Sequence, residues 1–195
     1  MASIEKFIWR NTPQSEYHAK TSESGLHSDI YLNSDFITSN PTLLAELIQT
    51  KFVQELKLRN IHPDWVITYP PYGMVIGYEL ARQIWAKFAY INKEEMSCSF
   101  AIAAWETAVI VADDIYTWGS LKDTTTILET MGVIILNPIL SIANFWSLDS
   151  IAGLDVFSII SEKANLYKEE DCPFCKIWSN AIVPRGNWEK LIQRA

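Results

Sequence analysis

Val109-Ile110-Val111-Ala112-Asp113-Asp114-Ile115-Tyr116-Thr117-Trp118-Gly119-Ser120 runs from a short, β-branched apolar segment through two adjacent acids into a small polar turn. The apolar segment reads as a buried strand. Carboxylates at the end of such a strand are costly beside a core unless they bind something. In an open parallel sheet the C-terminal strand ends are where ligands sit. Thr117, Gly119 and Ser120 then offer hydroxyls and backbone N–H groups at the start of a helix, which suits a phosphate. Asp113 and Asp114 for sugar hydroxyls or a metal-bound sugar, followed at once by a phosphate cradle, fit a phosphorylated ribose. The plain alternative is a buried strand whose two solvated acids cap a helix.

Outward from this stretch, apolar runs alternate with helical stripes. Residues 1–20 are expected to hold a short amphipathic helix with Ile4, Phe7 and Ile8 on one face. Residues 22–31 read as a turn leading into a strand. Asn40-Pro41 is a helix start, a capping residue followed by Pro in the first turn. Leu43, Leu44, Leu47, Ile48, Val53 and Leu56 carry that helix to about residue 58. A strand is expected over 64–68, a helix over 74–84 and a second strand over 86–91. A polar loop over 92–99 separates these from the strand at 108–112. A helix over 121–130 is ended by Gly132. Either 133–136 or 139–145 continues the sheet, and 156–160 is a last strand. Strands alternating with helices predict an α/β fold, a central parallel sheet flanked by helices.

At 195 residues the chain suits one domain with a sizeable core. Hydrophobic residues at 49% against 20% charged exclude a disordered composition. A net charge of −7 argues against nucleic acid as a partner, because neutralising its backbone needs a basic face. The same charge allows a phosphorylated small molecule held by backbone N–H groups and Mg²⁺. No apolar run approaches a membrane span, and the N-terminal residues do not read as a signal peptide. A cytoplasmic protein is the expectation. Most of the eight tryptophans read as core or interface residues, Trp118 being the exception because of its place in the turn.

The stretch 109–120 resembles the phosphoribosyl-diphosphate motif of the type I phosphoribosyltransferases: a hydrophobic strand, two acids, then Thr-Thr-Gly and a nearby hydroxyl. Trp118 stands in place of the second Thr, and the turn is one residue short when Ser120 is aligned with the last hydroxyl. Ser24-Gly25-Leu26-His27-Ser28-Asp29-Ile30-Tyr31 resembles the Ser-Gly-x-x-Ser-x-x-Tyr signature of orotate phosphoribosyltransferases, with Glu23 where that family often has Lys. Like charge there would repel an anionic base. Tyr69-Pro70-Pro71-Tyr72-Gly73 occupies the place of the family's pyrophosphate loop, although two Pro residues remove N–H donors. Residues 92–96 occupy the place of its mobile cationic loop. There Lys93 keeps its type, while Asn92 and Met96 stand in place of cations.

The resemblance implies a single domain over 1–195, with a small hood drawn from about 1–40 and 165–195, and a homodimer. It implies transfer of a phosphoribosyl group between phosphoribosyl diphosphate, which carries Mg²⁺, and a base, orotate first. Asp113, Asp114 and Lys93 would be the catalytic residues. Tyr72, Gly73, Thr117, Trp118, Gly119, Ser120, Ser24 and Gly25 would bind substrate. The altered loops leave a second reading, a non-catalytic nucleotide sensor or subunit of the same fold.

Cys172-Pro173-Phe174-Cys175 supplies two ligands of the four that a tetrahedral zinc site needs. The sequence shows no second pair at metal spacing: Cys98 is far away, and the histidines stand at 18, 27 and 62. With Pro184 beyond it, the segment resembles the C-terminal tail of one branch of orotate phosphoribosyltransferases. It reads as a structural tail, with no metal site assigned.

Overall fold

The computed structural model describes residues 4–21, 24–71, 73–92 and 94–192. They form two compact units: a terminal unit, up to Ile37 and again from Lys163, and a central unit over Thr38–Glu162. In the terminal unit a 3-10 turn at Ile4–Phe7 leads into β1 (Ile8–Arg10), β2 (Tyr17–Lys20), β3 (His27–Ser28), β4 (Ile30–Leu32) and α1 (Ser34–Thr38). The amphipathic helix expected within 1–20 is therefore corrected to a 3-10 turn and two strands. β1 pairs antiparallel with β4, and β2 with β3. Pairing across the chain overrides the weak helical period of Ile4, Phe7 and Ile8.

The central unit opens with a continuous helical rod of α2 (Pro41–Leu47), a π-helical turn (Ile48–Phe52) and α3 (Val53–Leu58). Asn40 caps it, its side-chain oxygen accepting the Leu43 N–H at 3.1 Å. Then follow β5 (Trp65–Thr68), α4 (Gly73–Ile84), β6 (Lys87–Asn92), β7 (Ser97–Cys98), β8 (Thr107–Ile115) and α5 (Gly119–Thr130). β9 (Ile134–Ile135), β10 (Ile139–Asn144), β11 (Ser150–Ile151) and β12 (Leu154–Ser161) complete it. The sheet order is β11-β12-β10-β8-β5-β6-β7. The five inner strands are parallel, and the short edge strands β11 and β7 are antiparallel to their neighbours.

The two alternatives over 133–136 and 139–145 are both realised. β9 pairs with the start of β8, at Thr107 and Ala108, and β10 with its end, from Val111 to Ile115. The loop expected over 92–99 is corrected as well, since Ser97 and Cys98 return as β7 against Asn92 and Ile91.

Alternation along the inner strands sends successive side chains to opposite faces. On one face Trp65, Ile67, Ala89, Ile91, Ala108 and Ile110 pack with Leu121, Ile127 and Leu128 of α5. On the other, α4 lies close over Thr68 and Phe88 by presenting Gly73 and Gly77. A Cβ at Gly73 would collide with the Thr68 hydroxyl, and Thr68 is fully buried. Beyond the sheet the chain returns to the terminal unit as β13 (Leu166–Tyr167), α6 (Pro173–Lys176), β14 (Asn180–Ile182) and α7 (Trp188–Ile192). There β13-β3-β2-β14 form a four-stranded sheet. Among the described residues no helix is long and apolar enough to cross a membrane.

Gly73→Ala is expected to destabilise the chain by about 1–3 kcal/mol, the usual cost of overpacking. Thr68→Ala in the same chain should recover most of that loss, because the colliding hydroxyl is gone. Urea denaturation of the two single variants and the double variant measures both. Independent, additive effects would show that the close approach is not the cause.

Candidate functional site

β8 is buried along Ala108–Val111 and half-buried at Asp113 and Asp114. The strand expected to stop at residue 112 runs on through both acids to Ile115. Its register explains the extension. Asp114 lies opposite Ala143 and Ile115 opposite Asn144 of β10. The Ile115 carbonyl then accepts the Phe145 and Trp146 N–H groups at 2.8 and 3.0 Å. Tyr116 packs on Phe145, ring centroids 4.8 Å apart, so the chain leaving the acids is held on both sides. Both acids engage neighbours within the fold.

Thr117, Trp118 and Gly119 are exposed, and Ser120 is half-buried. Gly119 begins α5, a helix of 12 residues whose N-cap, Trp118, makes no side-chain capping bond. The first N–H groups of that helix have no intrahelical partner, and the aligned peptide dipoles add positive potential there. A Cβ at Gly119 would meet nothing within 4 Å, so the space over the helix start is open. The structure thus brings Asp113, Asp114, Thr117, Trp118, Gly119 and Ser120 together at the end of one central strand.

One residue of this constellation escaped the sequence reading. Lys122 lies over the Trp118 ring, its Nζ 5.0 Å from the centroid. This cation–π contact brings a positive charge to the turn where Trp118 stands in place of Thr. The signal was available in the i,i+4 spacing of 118 and 122 across a helix start.

Gly73 sits at the first turn of α4, buried against the end of β5. Tyr72 and Lys93 lie outside the described residues. β6 and β7 pair antiparallel with Asn92 opposite Ser97, and the Asn92 side-chain oxygen accepts the Glu94 and Glu95 N–H groups at 3.1 and 3.4 Å. Met96 has a left-handed backbone, φ 48, and is 53% exposed. Asn92, Glu94, Glu95 and Met96 bring no cation to the place of the expected cationic loop.

Ser24 and Gly25 belong to the terminal unit, in the turn between β2 and β3. Gly25 has φ +68, a conformation in which a side chain is strained. Ser24 Oγ lies 2.7 Å from the Thr21 hydroxyl. Ser28 of the same signature is buried and donates to the Ile30 carbonyl at 2.7 Å, so its hydroxyl shapes the chain. Glu23 lies outside the described residues. Of the tryptophans, Trp9 and Trp65 are buried core residues, whereas Trp85, Trp105 and Trp178 are strongly exposed.

A second constellation lies wholly inside the terminal unit. His18 Nε2 is 2.9 Å from His27 Nδ1 and 3.6 Å from the sulfurs of both Cys172 and Cys175. His27 Nδ1 is 3.3 Å from Cys175 Sγ. Burial, then the His27 charge, pushes His18 down to about 4, and burial lowers His27 as well. Both imidazoles are therefore neutral at physiological pH. The second pair of ligand-type residues that the sequence did not reveal is supplied by two strands far from the cysteines.

No protein-family profile matches the chain. It is 30% identical over 183 residues to a protein named orotate phosphoribosyltransferase from Campylobacter fetus subsp. fetus, covering 84% of this chain and 90% of that one. Among solved structures it resembles the Leishmania donovani UMP synthase, with a TM-score of 0.64 at 16% identity over 83% of this chain and 36% of that one. It also resembles the adenine phosphoribosyltransferase of Thermoanaerobacter pseudethanolicus, with a TM-score of 0.62 at 17% identity over 81% and 97% of the two chains. The orotate phosphoribosyltransferase of Aeropyrum pernix superposes with a TM-score of 0.57 at 14% identity over 81% and 91%. The chain belongs to the type I phosphoribosyltransferase family, as a divergent member similar to the orotate enzymes.

Gly119→Asp is expected to leave the melting temperature unchanged or slightly raised. The new side chain enters open space, and an acid at a helix start is favoured by the dipole. The family resemblance gives this helix start to the 5′-phosphate; on that assignment the same carboxylate is expected to weaken binding of Mg²⁺-phosphoribosyl diphosphate at least tenfold. Differential scanning fluorimetry and titration calorimetry on one preparation read both effects.

Proposed function

We propose that the chain transfers a phosphoribosyl group between phosphoribosyl diphosphate and orotate. The observation that carries this is the pair Asp113–Asp114 delivered by a buried parallel strand directly into an uncapped helix start. The similarity to proteins named orotate phosphoribosyltransferase supports the choice of base. In the forward direction the ribose C1–O bond to pyrophosphate breaks and a bond from C1 to a base nitrogen forms. Mg²⁺ enters with the diphosphate as part of the substrate.

Asp113 and Asp114 bind the ribose hydroxyls, directly or through the substrate's Mg²⁺. Positive charge developing on the ribose is stabilised by such carboxylates. Thr117, Gly119 and Ser120 hold the 5′-phosphate, with the Lys122 charge beside Trp118 adding to the helix-start potential. Tyr72 and Gly73 are assigned to the pyrophosphate, Lys93 to its developing negative charge, and Ser24 and Gly25 to the base. A homodimer is part of the same proposal and rests on the family resemblance alone.

A second reading is favoured by one observation, the turn in which the Asn92 side-chain oxygen accepts the Glu94 and Glu95 N–H groups. Glu94, Glu95 and Met96 stand where a cationic loop would close over the leaving group. A chain with that turn is suited to bind the diphosphate as a sensor or subunit without turning it over.

Pyrophosphate release from Mg²⁺-phosphoribosyl diphosphate, with orotate and then other bases, tests the proposal. Release with orotate is expected. Release with another base alone moves the chain to that substrate, and calorimetric binding without release with any base selects the sensor. Asp113→Asn together with Asp114→Asn should abolish binding of the diphosphate under either reading; unchanged affinity in that variant would sink both.

A further inference from the structure

We propose that His18, His27, Cys172 and Cys175 bind one structural zinc ion that staples the two ends of the chain into a single unit. The argument starts from register. Lys20 of β2 lies opposite His27 of β3, and His18 is two residues before Lys20. Residues two apart on a strand share a face, so His18 and His27 are diagonal neighbours on one side of the sheet. β13 and β14 flank these strands, and the segment between them carries the cysteines. Pro173 starts α6 with Cys172 as its N-cap, so Cys175 follows about one turn later. Trp178, with φ 66, turns the chain back, and β14 then pairs parallel with β2.

The four ligand atoms, His18 Nε2, His27 Nδ1 and the two sulfurs, all lie within 4.8 Å of one another. Zinc bound at its usual distances in a tetrahedron needs N···S separations of roughly 3.6 Å and an N···N separation of roughly 3.3 Å. Three of the four N···S separations are 3.6, 3.6 and 3.3 Å, the fourth, His27 Nδ1 to Cys172 Sγ, is within 4.8 Å, and the nitrogens are 2.9 Å apart. Small outward shifts of the imidazoles complete that geometry. On its far side, His18 Nδ1 lies 3.1 Å from the Ser179 hydroxyl. The hydroxyl can accept an Nδ1–H, the tautomer that leaves the Nε2 lone pair for a metal, as the outer partners of metal-bound histidines do.

Hydrogen bonding alone does not account for the cluster. A ring nitrogen has one in-plane site, either a lone pair or an N–H. His18 Nε2 nevertheless faces His27 Nδ1 and both sulfurs at once. A cation at the centre satisfies all four atoms together. His18, His27 and Cys172 are at most 1% exposed. Binding Zn²⁺ releases the two thiol protons, and a divalent ion with two thiolates and two neutral imidazoles is uncharged overall. That makes the charge acceptable in a buried place. No disulfide joins the cysteines.

One cluster of buried hydrophobics in the unit is Trp9, Ala19 and Leu191, with Tyr17, Tyr31, Ile182 and Trp188 packed against it, and Ile4, Ile30, Leu32 and Ile37 are buried as well. A unit of this small size, drawn from the two ends of the chain, is of the kind that commonly gains stability from a metal or disulfides. The proposal is independent of the assigned transfer reaction.

The test uses the full-length reduced protein purified without chelators. Elemental analysis is expected to give about one zinc per chain, retained through gel filtration and released by a mercurial thiol reagent. Replacement by Co²⁺ is expected to give the intense visible bands of tetrahedral cobalt and a near-ultraviolet thiolate charge-transfer band. Removing the metal should lower the melting temperature. Cys172→Ser should reduce zinc content at least tenfold, while Cys98→Ser, outside the cluster, should leave it intact. Should Cys172→Ser fail to fold, the cobalt spectrum of the unmodified chain decides alone. Zinc below a tenth of an equivalent after zinc supplementation, with no charge-transfer band on adding Co²⁺, overturns the proposal. Equal zinc loss in Cys98→Ser overturns the assignment of these ligands.

Discussion

The candidate site depends on one constraint: β8 must be buried on both faces and still deliver two carboxylates at its end. A strand flanked by parallel neighbours meets that constraint by running in register with them until their shared C-terminal edge. β5 covers one side of β8 as far as Val111, and β10 covers the other as far as Ile115. The last bonds are not between strands at all, since the Ile115 carbonyl receives the N–H groups of the loop after β10. The acids are thereby fixed in backbone position before any ligand arrives. Preorganisation of this kind spares a binding site the cost of ordering its own polar groups.

The helices around that strand are placed by opposite means. α5 covers its face with large residues, Leu121, Ile127 and Leu128, as an ordinary amphipathic helix does. α4 comes close by having no side chain at Gly73 and almost no room for one at Gly77, where a Cβ would stand 3.1 Å from the Phe88 ring. Gly73 therefore has two demands on it. The resemblance assigns it to a pyrophosphate loop, and packing against Thr68 requires the same residue whatever the loop binds.

Periodicity and punctuation made the central unit legible. Asn40-Pro41 marked the start of the first helix, Gly132 the end of α5, and β-branched runs marked β5, β8, β10 and β12. Its acids and turn stand within one contiguous stretch, so local reading sufficed. The terminal unit was hidden for a physical reason. Its strands are two to four residues long, too short to show a period. Ile4, Phe7 and Ile8 suggested a helix because their actual partners, such as Leu32 opposite Ile8, lie elsewhere in the chain. The histidine and cysteine pairs are separated by 154 residues at Cys172 and His18, and no spacing rule reaches across that distance. The link is the antiparallel pairing of β2 with β3, which sets His18 and His27 on one side of the sheet although their spacing in the sequence is not a metal spacing.

Binding and turnover place different demands on this chain, and its residues separate them. In the proposed transfer the acids of β8 and the helix start of α5 would act on groups present in the ground state, a ribose and a 5′-phosphate, and both positions are fixed by packing within the central unit. Neutralising a leaving pyrophosphate acts on charge that grows only in the transition state, and interactions of that kind raise turnover without being needed for binding. The family resemblance gives that role to residues 92–96, whose described members Glu94, Glu95 and Met96 carry carboxylates and a thioether, with the Asn92 side chain bonded to the Glu94 and Glu95 N–H groups. Extra positive charge near the turn at 117–120 comes instead from Lys122, held over Trp118. A cation held there strengthens the ground-state complex as much as the transition state, so it does not replace a cation that closes over the leaving group. If the chain carries out the proposed transfer, its affinity for the phosphorylated sugar would follow from the packed elements of the central unit, and its rate from what closes over the leaving diphosphate.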